Sequence, residues 1–240
     1  MKTIAAIPTL NAIDWVAPLV EHILLSDEVD EVWIYDNGCT DLTPDWVRHR
    51  RLIDKRLFLI DSKGMGLYEM FNDMAKKVVE KYPDEEINLA ILNSDIRLPK
   101  NAISTMSKLM RQGGYVISTI DPSIPSIRSP HFEDWSGRMF QNTPPKTEPH
   151  AEHYIPGRPI GWAIVIAAEF FKTQPYIVHP SYQWWFGDDD LFRRTTQLGG
   201  TICIVRGVGS DHFGSQSDPH NPRKQEMINS DVVIYRQMWS

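Results

Sequence analysis

The sequence predicts an α/β fold with a mostly parallel central sheet flanked by helices. Three observations carry that expectation. Short apolar runs of strand length alternate with stretches of helical period through about residue 120. The runs are apolar throughout, as in strands covered on both faces. Polar and glycine-containing turns follow them, at the place where open parallel sheets bind ligands.

Taken in order, "KTIAAI" reads as a buried strand ending at Pro8, and "WVAPLVEHILL" as a helix. "EVWIYD" is a strand ending at Asp36, followed by the turn "NGCTD". "DWVRHR" is a short helix and "RLFLID" a third strand. The turn "SKGMG" then leads into the amphipathic helix "LYEMFNDMAKKVVEKY". "INLAIL" is a fourth strand, ending in "NSDIRLP"; "NAISTMSKLMRQ" returns to helix and "YVISTI" to strand. Residues 121–160 are rich in Pro, His and Ser without a period, and a loop of that length is usually functional. His131, His150 and His153 in it read as solvated loop residues. "GWAIVIAAEFF" resumes the core. "DDDLFRRTTQLGG" is a helix ended by Gly199 and Gly200, "TICIV" a last strand, and "PRKQEMINSDVVIYRQMW" a terminal helix.

Composition excludes some functions. A net charge of −6 argues against a broad grip on a nucleic-acid backbone. Only Cys39 and Cys203 are present, neither in a CxxC, which argues against a thiolate zinc site. A reduced pair fits a cytosolic protein; one disulfide is the alternative. The apolar start "MKTIAAIPTLN" breaks at Pro8, short of a signal-peptide core. No run reaches the roughly 18 apolar residues of a membrane span. The expectation is a cytoplasmic protein without a membrane span.

The strand ends place Thr9 and Asn11, Asp36 and Asn37, Lys63 with Gly64 and Gly66, and Asn93, Ser94 and Asp95 along one edge. That polar set suits a nucleotide and a hard cation. Each part also has a plainer reading. "YDNGCTD" is equally a strand-ending turn, and Ser94 and Asp95 could cap a helix. The acidic strand end precedes the glycines of "SKGMGLYEMFND", which excludes the dinucleotide fingerprint. A glycine turn that admits a ligand to the helix N-terminus remains. His212 lies in a glycine- and serine-rich loop. Trp184 and Trp185 serve as core or as a flat surface for a sugar ring. Asp188, Asp189 and Asp190 sit where a helix begins, which favours carboxylates.

In order, "IPTLN", "YDNGCTD", "SKGMGLYEMFND", "LNSDIRLP", "GWAIVIAAEFF", "WWFGDDDLFRR" and "DHFGSQS" resemble the family 2 glycosyltransferases of GT-A fold, including rhamnosyl- and galactofuranosyl-type members. The resemblance runs from residue 4 to about 217. "DNGCTD" is close to the family's "DNGSTD", and "HFGSQS" to its His-x-x-Gly-x-Ser.

The resemblance implies a nucleoside-diphosphate sugar donor, a UDP-sugar by preference, with Mn²⁺ or Mg²⁺ and inversion at the anomeric carbon. It implies that Pro8, Thr9 and Asn11 line the nucleotide pocket and that Asp36 holds the base. Asn37, Lys63, Gly64, Gly66, Asn93 and Ser94 would complete the donor site. Asp95 and His212 would hold the metal, and Asp188 would be the catalytic base. Asn93 stands where the family has an acid, and Gly187 replaces the acid before Asp188. Trp184, Trp185 and Asp189 would face a carbohydrate, protein or other hydroxyl-bearing acceptor. Lys63, Arg223 or Lys224 could add positive charge beside the diphosphate.

The expected organisation is one domain over 1–240. Residues 1–98 form the nucleotide-sugar half, 99–217 the acceptor half with its variable loop at 121–160, and 218–240 a C-terminal lid and helix. A nucleotidyltransferase of the same fold would want a Gly-rich, basic loop after the first strand, and "PTLNAIDW" lacks one. A non-catalytic nucleotide-sugar-binding module and a transferase acting on modified nucleic acid are the other readings.

Overall fold

The computed structural model describes residues 1–27, 29–98, 102–109, 116–120, 150–151, 161–205, 211–212 and 223–239. Four parallel strands form its first half: β1 (Lys2–Thr9), β2 (Glu31–Asp36), β3 (Leu57–Asp61) and β4 (Ile87–Leu92), in spatial order β3-β2-β1-β4. β1 and β4 are buried almost throughout, which explains their continuous apolar runs. Because all four run the same way, Thr9, Asp36, Asp61 and Leu92 end at one edge.

The sheet continues through β8 (Ala163–Ile166), β6 (Val116–Ile120), β9 (Thr201–Val205) and β7 (His150–Ala151). β8 is antiparallel to both β4 and β6, while β6 and β9 are parallel. A separate two-stranded ribbon pairs β5 (Ile96–Arg97) with β10 (Asp211–His212).

Helices cover both faces. α1 (Ile13–Leu24), α2 (Thr43–Ile53) and α4 (Ala102–Leu109) pack on one, where Val16, Leu19, Ile23, Val47 and Met106 meet Ala5 and Ile7. On the other, α3 (Leu67–Lys81), α5 (Ala168–Thr173) and α6 (Gly187–Gln197) meet Ile4 and Ala6 through Phe71, Met74, Phe170 and Phe192. The alternation of neighbours along β1 feeds both layers. α7 (Lys224–Trp239) closes the chain. Among the described residues, no helix is long and apolar enough to cross a membrane.

Two local expectations change, and one, the reduced state of Cys39, holds. β1 does not stop at Pro8 but continues to Thr9. The β4 ladder ends at Ala6, so the N–H that Pro8 lacks interrupts no pairing on that side. Part of the 121–160 segment is strand: His150 and Ala151 pair with β9, while His131 and His153 lie outside the described residues. Cys39 is a free thiol, so it forms no disulfide.

Candidate active site

Two asparagines sew the loops at the strand ends together. Asn11, in the left-handed region at φ 48°, accepts from the N–H groups of Thr40 (2.6 Å) and Asp41 (3.3 Å) through Oδ1. Asn37 donates from Nδ2 to the Met65 carbonyl (3.1 Å) and accepts the Gly64 N–H (2.9 Å). The Asn11 and Asn37 side chains therefore tie the strand-end loops to one another. Thr9 is buried, and its hydroxyl donates to the Ile7 carbonyl (3.2 Å).

Asp36 Oδ1 accepts the N–H groups of Gly38 (3.1 Å) and Cys39 (2.7 Å), building the turn its sequence suggested. Gly38, at φ 85°, packs on the Lys63 stem. A cleft of about 400 Å³ opens here, lined by Asp36, Cys39, Arg48, Asp61 and Lys63. Asp61 is the register partner of Asp36 on the neighbouring strand, so two carboxylates and two cations share the cleft. The Cys39 thiol, pushed up to about 12 by burial and then by Asp36 and Asp41, stays a neutral wall of the cleft. Gly64 takes φ 85°, and Gly66 begins α3 with its N–H on the Glu69 carboxylate (3.2 Å). Glu69 thus occupies part of the helix N-terminus that the glycine turn was expected to offer a ligand.

Beyond β4, Asn93, Ser94 and Asp95 form the turn into β5. α4 begins only at Ala102, so Asp95 does not cap it. Instead the β5–β10 ribbon sets His212 opposite Ile96. His212 Nε2 lies 3.4 Å from Asp95 Oδ1 and 3.2 Å from Asn93 Nδ2. A nitrogen lone pair and a carboxylate that close require a proton or a cation between them. A carboxylate oxygen beside an imidazole nitrogen suits Mn²⁺ better than Mg²⁺, which takes oxygen ligands. Among the described residues, no group of three or more His, Cys, Asp and Glu could hold a metal. Asp95 and His212 are a pair, so a cation held there would need further ligands from outside the described residues.

Asp188 lies in the first turn of α6. A Cβ built on Gly161 would overlap its Oδ2, so the carboxylate rests on bare backbone. Burial, with the Asp189 charge adding to it, pushes Asp188 up to about 6. Asp190 has another task. It is 1% exposed, pairs with Arg194 (3.0 Å) and accepts the His179 N–H (3.1 Å). Asp189 is half-buried beside them.

One dipeptide joins the two chemistries. Gly161 touches Asp188. Trp162 stacks on the His212 ring (centroids 4.9 Å, 21°) and accepts the Asn93 N–H on its carbonyl (2.9 Å). The residues expected to hold a metal and the residue expected to act as base are thus braced by consecutive residues.

The sequence profile described as "Glycosyl transferase family 2" matches residues 4–173, well over half the chain. The chain belongs to glycosyltransferase family 2. The fold agrees with solved structures. GalNAc-T7 with UDP, GalNAc and Mn²⁺ superposes at a TM-score of 0.63 and 13% identity, covering 88% of this chain and 44% of that one. Staphylococcus aureus TarS 1-349 with UDP gives 0.59 and 16%, covering 88% and 59%. Glucosyl-3-phosphoglycerate synthase from Mycobacterium tuberculosis, with Mn²⁺, UDP and glucosyl-3-phosphoglycerate, gives 0.52 and 14%, covering 97% and 79%. This chain therefore spans less than two thirds of the length of the first two. No curated protein matches it by sequence.

Within glycosyltransferase family 2, the candidate site of this chain includes residues that were not singled out from the sequence. Asp61 ended a strand beside Asp36 and was legible on that ground. Arg48 gave no local signal, and Gly161 and Trp162, though they open the motif "GWAIVIAAEFF", gave no sign of their contacts, which are made to distant partners. Gly187 is explained: a Cβ there would overlap the Tyr68 ring, which fills the space a side chain would need. The two tryptophans expected to face an acceptor differ, with Trp185 49% exposed and Trp184 half-buried. Arg223 pairs with Glu226 (3.1 Å), and residues 218–222 of the expected lid lie outside the described residues.

Proposed function

We propose that this chain is an inverting glycosyltransferase that moves a sugar from a UDP-sugar to an acceptor hydroxyl, with Mn²⁺ or Mg²⁺ held by Asp95 and His212. The observation that carries the reading is the Gly161–Trp162 brace, which puts the Asp188 carboxylate and the His212 imidazole on consecutive residues. The UDP and Mn²⁺ named with GalNAc-T7 and the mycobacterial synthase motivate the choice of donor and metal.

An acceptor hydroxyl is a poor nucleophile at neutral pH, so its proton must leave as it attacks. Asp188, raised to about 6, is still ionised at neutral pH and is a stronger base than an ordinary carboxylate. With one carboxylate in that role, the hydroxyl oxygen bonds the anomeric carbon as the bond to the diphosphate breaks on the opposite face. The outcome is inversion. The bound cation would neutralise charge gathering on the leaving diphosphate. Asp36, Asp61, Arg48 and Lys63 would receive the nucleoside in their cleft. Trp185 would offer its exposed ring to the acceptor.

The test is a screen of UDP- and GDP-sugars with Mn²⁺, reading nucleotide release with and without a glycoside acceptor. The expected result is turnover with a UDP-sugar that EDTA abolishes and Mn²⁺ restores. Tight UDP binding without turnover on any donor would make the chain a binding module.

A further inference from the structure

The terminal helix lies outside the family match, which ends at residue 173, yet it reaches into the proposed site. Asp231, near the middle of α7, is fully buried. Its carboxylate accepts three consecutive backbone N–H groups: Gln183 (3.0 Å), Trp184 (2.7 Å) and Trp185 (2.7 Å). Three successive donors on one carboxylate wind the chain into a nest around it. Burying a carboxylate carries a heavy solvation cost unless its oxygens are met, and here charge-assisted bonds meet them. An apolar residue would serve helix packing better, so this carboxylate answers to the loop and not to the helix.

The loop it holds is short and leads straight to the proposed base. Trp185 stands 49% exposed within it. Phe186 follows in the left-handed conformation (φ 62°), its ring stacked on Tyr235 (4.6 Å), one helical turn beyond Asp231. Gly187 and Asp188 then open α6. One turn further, the Arg193 guanidinium lies over the Tyr235 and Trp239 rings (5.2 and 5.4 Å). α7 therefore grips the segment 183–193 at both ends. The same loop neighbours the donor side, since the Gln183 carbonyl lies within van der Waals reach of the Gly66 Cβ position.

We propose that Asp231 is a positioning residue for the acceptor: it fixes the backbone from which Trp185 faces the acceptor and Asp188 meets the attacking hydroxyl. This rests on the glycosyl-transfer reading above. The donor edge has its own ties through Asn11 and Asn37, so the two sides separate under mutation.

Asp231→Asn keeps the volume and replaces one accepting oxygen with an N–H₂ that faces N–H donors. Tyr235→Leu removes the ring that stacks on Phe186 and lies under Arg193, leaves Asp231 in place, and serves if Asp231→Asn fails to fold. UDP with Mn²⁺ titrated by calorimetry probes the donor side. A panel of methyl glycosides, or UDP release to water where no glycoside accepts, probes the acceptor side. The expected result is a UDP affinity within twofold of wild type, with acceptor KM raised at least tenfold or release to water lowered at least tenfold. Acceptor kinetics within twofold in the folded variants would overturn the proposal, as would a loss of UDP affinity in step with transfer. Asp188→Asn, run in parallel, separates the two readings. If it alone loses transfer, only the positioning role fails. If wild type turns over no donor, the glycosyl-transfer reading fails and the positioning role with it.

Discussion

Asp188 is expected to set the pH dependence of transfer. Its carboxyl is raised from the usual range to about 6 by burial and the Asp189 charge. The ionised form is the base, so kcat should rise with pH through about 6 and level above it, read from a kcat profile between pH 4.5 and 8. The stability consequence has the opposite sense. A carboxyl raised in the folded state holds its proton more tightly there than in the unfolded chain, so its contribution falls as pH rises from about 4 through about 6. Asp188→Asn should therefore be more stable than wild type at pH 8 by about 1–2 kcal/mol, partial exposure lowering the full linkage value, and equal to it at pH 4. Urea melts at the two pH values check this. The motif order in the sequence pointed to Asp188 among three adjacent acids. It could not separate their tasks, which come from Gly161, 27 residues away, and from Arg194 and His179 around Asp190.

Strands and long helices were legible because each carries its own signal. β1, β2 and β4 are continuous apolar runs, and α3 buries Tyr68, Phe71, Ala75 and Val78 at helical spacing. The β5–β10 ribbon was not legible, because two residues per strand have no period and its partners are more than a hundred residues apart. That ribbon is what brings His212 to Asp95. The start of α6 was half legible: the acids announced a helix, but nothing local explained Gly187. The explanation is α3, whose Tyr68 ring occupies the place of a side chain at 187. Gly187→Ala should cost about 2–4 kcal/mol, since a rigid ring and helix backbone must part. Tyr68→Ala opens a cavity at its own cost, yet the double variant should be more stable than the sum of the two by about 1 kcal/mol or more. Urea denaturation of the four proteins reads this, and additive costs would contradict the packing account.

Across the whole molecule, the parallel half gathers polar loops at one edge because β1 to β4 run the same way. β8, antiparallel to β4, carries Gly161 and Trp162 to that same edge as it enters the sheet. The direction of β8 was not legible, since a fully buried strand has the same apolar run in either sense. The terminal helix then holds the loop at residues 183–185 through Asp231. The proposed donor edge, cation pair and base thus come from four stretches distant in sequence, and their convergence is the ground for reading the chain as a catalyst. The most direct check compares Asp188→Asn with wild type on the best UDP-sugar found. UDP–Mn²⁺ affinity should stay within twofold while transfer falls by about 10²–10⁴. Full transfer by a variant that binds UDP–Mn²⁺ normally would contradict the account.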